Sequence, residues 1–305
     1  MCTEIAHLAF GKKAAQALRA VKKEAQRLEQ LFSRFLPESD IGRINRFAGV
    51  KHEKISAETC EVLSKAKKIS EISQGLFDIT VGPLADLWSI KTASEPPPDN
   101  LIERVLSLIS YNDLELDADR KKAKLTKPGQ SVDLGGIGKG FASDCFVEIF
   151  RKHGVASAFS NIGGNVSTLG CKPDGSPWQV GIRHPRQNSL LGAVKVCGKA
   201  VVTSGDYERY FIDREGRRFH HILNPVTGYP AESGLVSATV VAESAMTADA
   251  LSTAVFIAGL ESGLSLIEKF PVTDAVLVDT RLRVYVTRGL KECFQPSGGL
   301  NVYYI

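Results

Sequence analysis

The chain is 305 residues long, which is enough for one large domain or two lobes with a sizeable core. A formal net charge of +4, from 38 basic and 34 acidic residues, is too balanced for a nucleic-acid-binding protein, although it tolerates a ligand that carries phosphate. The sequence contains no stretch near the roughly 20 apolar residues that span a membrane. These properties predict a globular protein without a transmembrane segment.

Two features bear on the cellular compartment. Residues 1–10 lack the basic start and long apolar centre of a signal peptide, so the chain as it stands is expected in the cytoplasm unless a leader preceded it. The six cysteines include no C-x-x-C pair, which argues against a zinc ribbon or a redox motif. Free thiols are therefore expected, and they favour a reducing compartment.

Helical patterns dominate the first third of the chain. Apolar residues recur at helical spacing over residues 12–35, which predicts a long amphipathic helix. A second helix is expected between Ser56 as its N-cap and Gly75 as its C-terminal stop. Residues 92–100 predict a loop, and residues 101–110 a short helix.

Strand patterns take over from Leu114. Residues 114–125 predict two strands joined by a turn, and two helices are expected later, over about 139–153 and about 245–258. Further strands are expected at 155–162, 178–183, 191–198, 217–223, 235–242, 274–278 and 283–287. Helices early and strands late indicate an α+β protein, and no internal repeat is visible.

A glycine-rich segment, VDLGGIGKGFASD, opens the helix at 139–153 and looks at first like a nucleotide-binding loop. It fits neither the G-x-x-x-x-G-K-[ST] pattern nor the G-x-G-x-x-G pattern, because Asp133, Gly140 and Phe141 stand at positions that those patterns fix otherwise. The segment therefore needs another interpretation.

Asp249 and Thr253 lie four positions apart on a predicted helix, so they share one face. A carboxylate and a hydroxyl at one point suit a hard cation such as Mg²⁺, which prefers oxygen ligands. The alternative is that Thr253 bonds back to its own helix and Asp249 caps a strand, and the residues alone favour that alternative. Asp249 is expected to face the surface, so that its replacement leaves the fold largely intact.

His220 and His221 alternate sides if their segment is a strand, so at most one of them faces a site. His221 is followed by the turn formers Asn224-Pro225 and Thr227-Gly228. That context places it at a strand end beside an open loop, where working residues are commonly presented.

Taken in order, several segments of the chain resemble the FAD:protein FMN transferase family, also called the ApbE flavin transferases. The resemblance extends from Met1 to about Ala258. It rests on MCT at the start, SRFLPESDIGRIN, FDITVGPLADLW, VDLGGIGKGFASD, NIGGNV, VTSGDYERYF, HHILNPVTGYP and TADALSTA.

The resemblance implies a single α+β domain over residues 1–305, with mixed and antiparallel sheets, flanking helices and two lobes around a central flavin-binding cleft. It also implies a reaction in which FAD is the substrate. FMN is joined through its phosphate to a Ser or Thr hydroxyl of an acceptor flavoprotein, and AMP leaves. Most relatives act outside the inner membrane, which implies the periplasmic face if a leader was removed.

Site residues follow from the same resemblance. Asp133 and Lys139 would contact FAD, and Mg²⁺ would be held by the Gly136 carbonyl, Asp249 and Thr253. The flavin and adenine pockets would be lined by Met1, Phe35, Leu76, Phe77, Asp78 and Leu223. Position 35 is often Tyr in the family and is Phe here, and Cys2 replaces the family's Gly.

His221 is the candidate for the group that takes the proton from the acceptor hydroxyl, because a neutral imidazole near pH 7 suits a general base. Asp206 is the alternative base, and the sequence does not choose between them. Two rival functions also stay open: a Mg²⁺-dependent FAD pyrophosphatase, in which water replaces the acceptor hydroxyl, and a non-catalytic FAD-binding protein.

Overall fold

The computed structural model describes residues 3–305 of the chain. The helices are Ala14–Phe32 (α1), Asp40–Arg46 (α2), Ala57–Ile72 (α3), Gly82–Trp88 (α4), Asp99–Leu106 (α5), Gly138–Lys152 (α6), Ala245–Ala258 (α7) and Leu260–Glu268 (α8). The strands are Ile5–Phe10 (β1), Glu53–Lys54 (β2), Leu114–Asp117 (β3), Lys122–Leu125 (β4), Ser157–Ile162 (β5), Asn165–Leu169 (β6), Trp178–Arg183 (β7), Leu190–Val196 (β8), Ala200–Gly205 (β9), Tyr210–Ile212 (β10), Arg218–His220 (β11), Leu235–Ala242 (β12), Asp274–Asp279 (β13), Val284–Val286 (β14), Phe294–Pro296 (β15) and Val302–Tyr304 (β16). The α+β class predicted from the sequence is confirmed.

Local capping signals set several helix ends. The Ser244 side chain accepts a hydrogen bond from the Thr247 amide at 3.2 Å and so begins α7. Gly259, with a φ of 82°, ends the same helix. Ser56 caps α3 in the same way as Ser244 caps α7. The long first helix is shorter than predicted and ends at Phe32.

The chain divides into two compact units. Of the described residues, the first unit contains 3–27, 137–205 and 233–305, and the second contains 28–136 and 206–232. Both units are therefore built from segments that are distant in the sequence.

The first unit is built on an eight-stranded sheet in the order β1-β5-β6-β9-β12-β13-β14-β16. Neighbouring strands are antiparallel except β14 and β16, which are parallel. Apolar side chains between this sheet and the three-stranded sheet β15-β8-β7 form one core cluster, while α6 and α7 pack on the eight-stranded sheet. Every residue of β12 is buried as a result.

The second unit combines α2 to α5 with the small sheet β2-β4-β3 and the ribbon β10-β11. Its core includes Trp88 and Leu223, which pack with Leu84, Ile102 and Phe211. The Trp88 indole donates a hydrogen bond to the Gly228 carbonyl at 2.7 Å. This bond ties the turn that follows β11 to α4.

Two sequence-based expectations are wrong. The strand predicted at 217–223 ends at His220, because the chain then turns and Leu223 bridges to Pro230. Cys171 and Cys197 form a disulfide, so they are not free thiols. The two turns that carry these cysteines are adjacent, since the Gly198 amide donates to the Gly170 carbonyl at 3.2 Å, and no short-range sequence motif signals this approach.

Within residues 3–305, no helix combines the length and the apolar character that crossing a membrane requires.

Candidate functional site

The face of α7 that was predicted to bind a cation carries a cluster of polar groups. The Asp249 carboxylate accepts a hydrogen bond from the Gly140 amide at 2.9 Å, and its other oxygen lies 3.5 Å from the Lys139 ammonium. The Thr253 hydroxyl lies 3.2 Å from the hydroxyl of Ser204 on β9. A carboxylate, two hydroxyls and an ammonium are thus gathered in the first unit.

Asp249 is buried rather than surface-facing, with 4% of its surface exposed. The alternative that it caps a strand is also wrong, because its partner Gly140 lies in the first turn of α6. A carboxylate at a helix N-terminus satisfies an amide that has no partner within the helix and interacts favourably with the helix dipole. Asp249 therefore has a structural contact in addition to any role with a ligand.

Gly140 allows α6 and α7 to approach closely. A Cβ atom at this position would lie 2.3 Å from the Ala245 carbonyl oxygen and 2.6 Å from the Met246 Cα. The glycine-rich segment therefore serves helix packing at this residue. Gly136 lies two residues before α6, is partly exposed and ends the longer segment of the second unit.

Asp133 is fixed within the second unit by two bonds. One carboxylate oxygen accepts from the Gly135 amide at 2.7 Å, and the other accepts from the Arg34 guanidinium at 2.8 Å. Arg34 also pairs with Asp86. Burial alone would lower the pKa of Arg34, but the bonds to Asp133 and Asp86 outweigh it and raise the pKa. The sequence did not predict Arg34 as a site residue, although it lies beside Phe35 in the SRFLPESDIGRIN segment.

Asn45 is a second residue of that segment that sequence reasoning missed. Its side-chain amide donates to the Val132 carbonyl at 3.0 Å, and its side-chain oxygen accepts from the Val132 amide at 2.7 Å. This pair of bonds holds the backbone directly before Asp133. The signal in the sequence was the final Asn of the segment.

Residues predicted to line the flavin and adenine pockets differ widely in exposure. Phe35 is 78% exposed, and the Arg34 guanidinium lies 5.4 Å from the centre of its ring. Leu76 is partly buried, whereas Phe77 and Leu223 are buried, the latter in the core of the second unit. Met1 lies outside the described residues.

Asp78 is buried and holds the backbone around it together. Its carboxylate accepts hydrogen bonds from the amide and the hydroxyl of Thr80, each at 2.7 Å, and from the Tyr111 amide at 2.7 Å. Burial raises the pKa of Asp78, and these bonds offset the rise only in part. The described contacts of this carboxylate are therefore internal to the second unit.

The two histidines have different environments. His220 is buried, and one ring nitrogen lies 3.1 Å from the Ala231 carbonyl oxygen. Burial lowers the pKa of His220, so its ring is neutral near pH 7. His221 follows the last residue of β11 and is partly exposed, and its Nδ1 lies 3.2 Å from the Arg209 carbonyl oxygen.

The contact to the Arg209 carbonyl indicates which tautomer the neutral His221 ring adopts. A carbonyl oxygen only accepts hydrogen bonds, so Nδ1 must carry the proton. In the neutral ring, Nε2 then has a lone pair and can take a proton. Asp206, the alternative base, is buried, and one of its oxygens lies 4.0 Å from the Arg218 guanidinium.

Comparison with known proteins agrees with the resemblance seen in the sequence. A model of the ApbE family matches residues 1–277. FAD:protein FMN transferases of Klebsiella pneumoniae and Treponema pallidum are 32% and 33% identical to the chain, over 89% and 92% of it and over 84% and 83% of their own lengths. The solved structure of the ApbE protein from Thermotoga maritima matches with a TM-score of 0.87 and 31% identity, over 95% of this chain and 96% of that one. The chain therefore belongs to the ApbE family, the family of the FAD:protein FMN transferases, and is an enzyme of the transferase class.

Proposed function

We propose that the protein transfers FMN from FAD to a Ser or Thr hydroxyl of an acceptor flavoprotein, with Mg²⁺ as the cofactor and AMP as the leaving product. The observation that carries this proposal is the pair Asp249 and Thr253, which lie one helical turn apart on α7 within the TADALSTA segment of the family resemblance. The relatives named above support FAD as the substrate and a flavoprotein as the acceptor.

The residues of the first unit fit a magnesium ion by their chemistry. Asp249 and Thr253 offer oxygen ligands, which Mg²⁺ prefers over nitrogen or sulfur. One Asp249 oxygen accepts a backbone amide, while the other has Lys139 at 3.5 Å, longer than an ordinary hydrogen bond. That second oxygen can therefore bind a cation. The Gly136 carbonyl is added as a ligand on the resemblance alone.

A site with few protein ligands suits this ion. Among residues 3–305, no three His, Cys, Asp or Glu side chains are grouped as a metal cage would require. Mg²⁺ is commonly held by one or two carboxylates, with water and substrate phosphate completing its shell. When bound, it would neutralise the pyrophosphate of FAD and stabilise the departing AMP.

His221 is proposed as the general base. The acceptor hydroxyl oxygen forms a bond to the phosphorus of the FMN half, its proton passes to Nε2 of His221, and the bond to the AMP phosphate breaks with its electron pair leaving on AMP. The bond from Nδ1 to the Arg209 carbonyl orients the ring for this transfer. Asp206 is the weaker candidate, because it is buried beside Arg218.

Lys139 and Asp133 are proposed to bind FAD. The Lys139 ammonium would offset the pyrophosphate charge as a point cation. Asp133 is held by Arg34 and the Gly135 amide, so it would meet the ligand in a fixed orientation. Phe35, exposed and next to Arg34, would stack on a ring of FAD.

The proposal is tested by incubating the protein with FAD, with Mg²⁺ or EDTA, and with or without a flavin-acceptor domain. A fluorescent acceptor band and an equal amount of AMP, both lost in EDTA, are the expected result. FMN and AMP released at the same rate without acceptor would instead identify a pyrophosphatase, and bound but uncleaved FAD would identify a binding protein.

Two variants make this assay specific to the proposed base. His221→Asn keeps a donor near the position of Nδ1 but has no basic nitrogen, and we expect it to bind FAD while losing on the order of a hundredfold in transfer. Asp206→Asn is the matched control and should retain most of the activity. The reverse pattern would assign the proton transfer to Asp206.

We also propose that the protein works in an oxidising compartment, on the periplasmic side of the inner membrane. The disulfide between Cys171 and Cys197 supports this location, because structural disulfides form and persist outside the reducing cytoplasm. Fractionation of cells that express the complete gene, followed by immunoblotting, tests it. A purely cytoplasmic signal would contradict the proposal.

A further inference from the structure

Asp144 ends the VDLGGIGKGFASD segment, and neither the sequence nor the proposed mechanism gives it a role. Its carboxylate accepts three hydrogen bonds from the start of α7. One oxygen accepts from the Ala245 amide at 2.7 Å, and the other accepts from the Ser244 hydroxyl at 2.8 Å and the Met246 amide at 3.0 Å. Asp144 lies on α6, so it caps a helix other than its own.

The two helices cap each other. Asp144 of α6 binds the first amides of α7, and Asp249 of α7 binds the Gly140 amide in the first turn of α6. Gly140 and Asp144 are one turn apart on α6, as Ala245 and Asp249 are on α7, so each pair lies on one helix face. The crossing is therefore fixed at two points, one turn apart.

We propose that Asp144 is a positioning residue for the cation site. It fixes the N-terminus of α7 against α6 and thereby sets where the Asp249 carboxylate and the Thr253 hydroxyl stand. The inference rests on the proposed function, in which those two groups bind Mg²⁺. It goes beyond that function because it assigns the metal affinity in part to a residue that does not touch the metal.

The physical reason is the strict geometry of the ion. Mg²⁺ requires near-octahedral oxygen ligands at short distances, so a small displacement of α7 would degrade the site. Groups that orient metal ligands from outside commonly change metal affinity 10-fold to 100-fold when they are replaced. Without Asp144, the crossing would keep the bond from Asp249 to Gly140 and lose its other point of attachment.

Ser244 provides a matched control at the same helix end. Its hydroxyl accepts from the Thr247 amide at 3.2 Å and donates to Asp144. Ser244→Ala removes a helix cap, which costs about 1 kcal/mol of stability, but it leaves the Asp144 bonds to Ala245 and Met246 in place. A residue that only stabilises the helix end should behave like Ser244.

The test uses the full chain and Mn²⁺ as the metal probe, because Mn²⁺ also favours oxygen ligands and its binding is measured directly by electron paramagnetic resonance. Asp144→Asn, Ser244→Ala and Asp249→Asn are titrated with Mn²⁺ without FAD, well below their melting temperatures. We expect Asp144→Asn to bind Mn²⁺ roughly 10-fold to 100-fold more weakly. Ser244→Ala should have a lower melting temperature but bind Mn²⁺ with unchanged affinity.

Equal Mn²⁺ affinity in Asp144→Asn and Ser244→Ala would overturn the inference and leave Asp144 as a structural cap. Unchanged Mn²⁺ binding in Asp249→Asn would show instead that the metal assignment of the proposed function is wrong. If Asp144→Asn does not fold, Asp144→Glu takes its place, since it keeps the charge but moves the oxygens by one methylene. An unchanged affinity in Asp144→Glu would also overturn the inference.

Discussion

Phe35 combines high exposure with a fixed neighbour, because 78% of its surface is accessible while the Arg34 guanidinium stacks beside its ring. An aromatic side chain of this kind contributes little to the core, so its replacement should leave the stability of the fold unchanged. We expect Phe35→Ala to weaken FAD binding by roughly fivefold, in line with about 1 kcal/mol for aromatic stacking. The melting temperature should stay the same.

Flavin fluorescence titration and thermal denaturation measure the two effects of this substitution. Phe35→Tyr is the control, since it keeps the ring and should bind FAD at least as well as the unmodified protein. Equal FAD affinity in Phe35→Ala would remove this residue from the flavin and adenine pockets.

Lys139 has two roles that oppose each other in the proposed mechanism. Its ammonium lies 3.5 Å from the Asp249 carboxylate, where it competes with a metal cation, yet it is also proposed to bind the FAD pyrophosphate. Lys139→Met should therefore bind Mn²⁺ about threefold to tenfold more tightly in the absence of FAD, because a repelling charge is gone. The same variant should bind FAD more weakly in the presence of Mg²⁺.

Lys152→Met, in the last turn of α6, is the matched control for Lys139→Met. It removes the same charge from the same helix at a position remote in sequence from Asp249, and both affinities should stay unchanged. Weaker Mn²⁺ binding in Lys139→Met would mean that this lysine supports the carboxylate rather than competing with the metal.

At the scale of single residues, the sequence predicted which side chains share a helix face better than it predicted their burial. The four-residue spacing of Asp249 and Thr253 predicted that the two side chains share one face of a helix, and both lie on α7. The burial of Asp249 was not predictable, because it depends on Gly140, which is 109 positions away in the sequence. Arg34 and Ser204 were missed for the same reason, since each gains its partners only when distant segments meet.

At the scale of elements, α6 and α7 can cross closely only because Gly140 has no side chain. Gly140→Ala would place a Cβ 2.3 Å from the Ala245 carbonyl oxygen, so the helices must separate. We expect a loss of roughly 1 to 3 kcal/mol in the free energy of unfolding, typical of overpacking. Mn²⁺ affinity should fall as well, because the Asp249 carboxylate would move with α7.

Urea unfolding and Mn²⁺ titration measure both consequences of Gly140→Ala. Gly298→Ala is the control, because no atom lies within 4 Å of a Cβ at that position. A Gly140→Ala protein with unchanged stability would contradict the close helix approach.

The disulfide links the turn after β6 to the turn after β8, across 26 positions of sequence. Replacing both Cys171 and Cys197 with Ser should reduce the free energy of unfolding by about 3 kcal/mol, because the unfolded chain regains the freedom of a closed loop. Urea unfolding with and without dithiothreitol measures this. Reductant should shift the midpoint of the unmodified protein and leave the double variant unaffected.

Some elements with strong local signals were predicted with their observed bounds. Both α7, between its Ser cap and its Gly stop, and the apolar strand β12 are examples. The central strands β6 and β9 were not predicted, because their polar residues resembled loops. In the fold, the Ser204 hydroxyl on β9 lies 2.8 Å from the Ser252 hydroxyl on α7. Tertiary hydrogen bonds therefore satisfy polar side chains that are typical of turns in the sequence.

At the scale of the whole molecule, the proposed function predicts that metal and substrate bind together. If Mg²⁺ is held by few protein oxygens, its remaining ligands include the pyrophosphate of FAD. FAD affinity should then be at least fivefold higher with Mg²⁺ than with EDTA, and FAD should tighten Mg²⁺ binding by the same factor. Flavin fluorescence titrations under the two conditions measure the effect, and equal affinities would show that the ion does not contact the bound FAD before reaction.

Because the chain alternates between the two units, proteolytic cleavage of one loop should not separate the resulting fragments. The polypeptide passes between the units four times, at 27–28, 136–137, 205–206 and 232–233. A protease that cleaves the exposed bond between Ser94 and Glu95 leaves an N-terminal fragment with strand β1 in the first unit and helices α2 to α4 in the second. That fragment keeps partners in both units, since β1 stays paired with β5. Nicked protein should therefore run as two bands on a denaturing gel and elute as one species under native conditions.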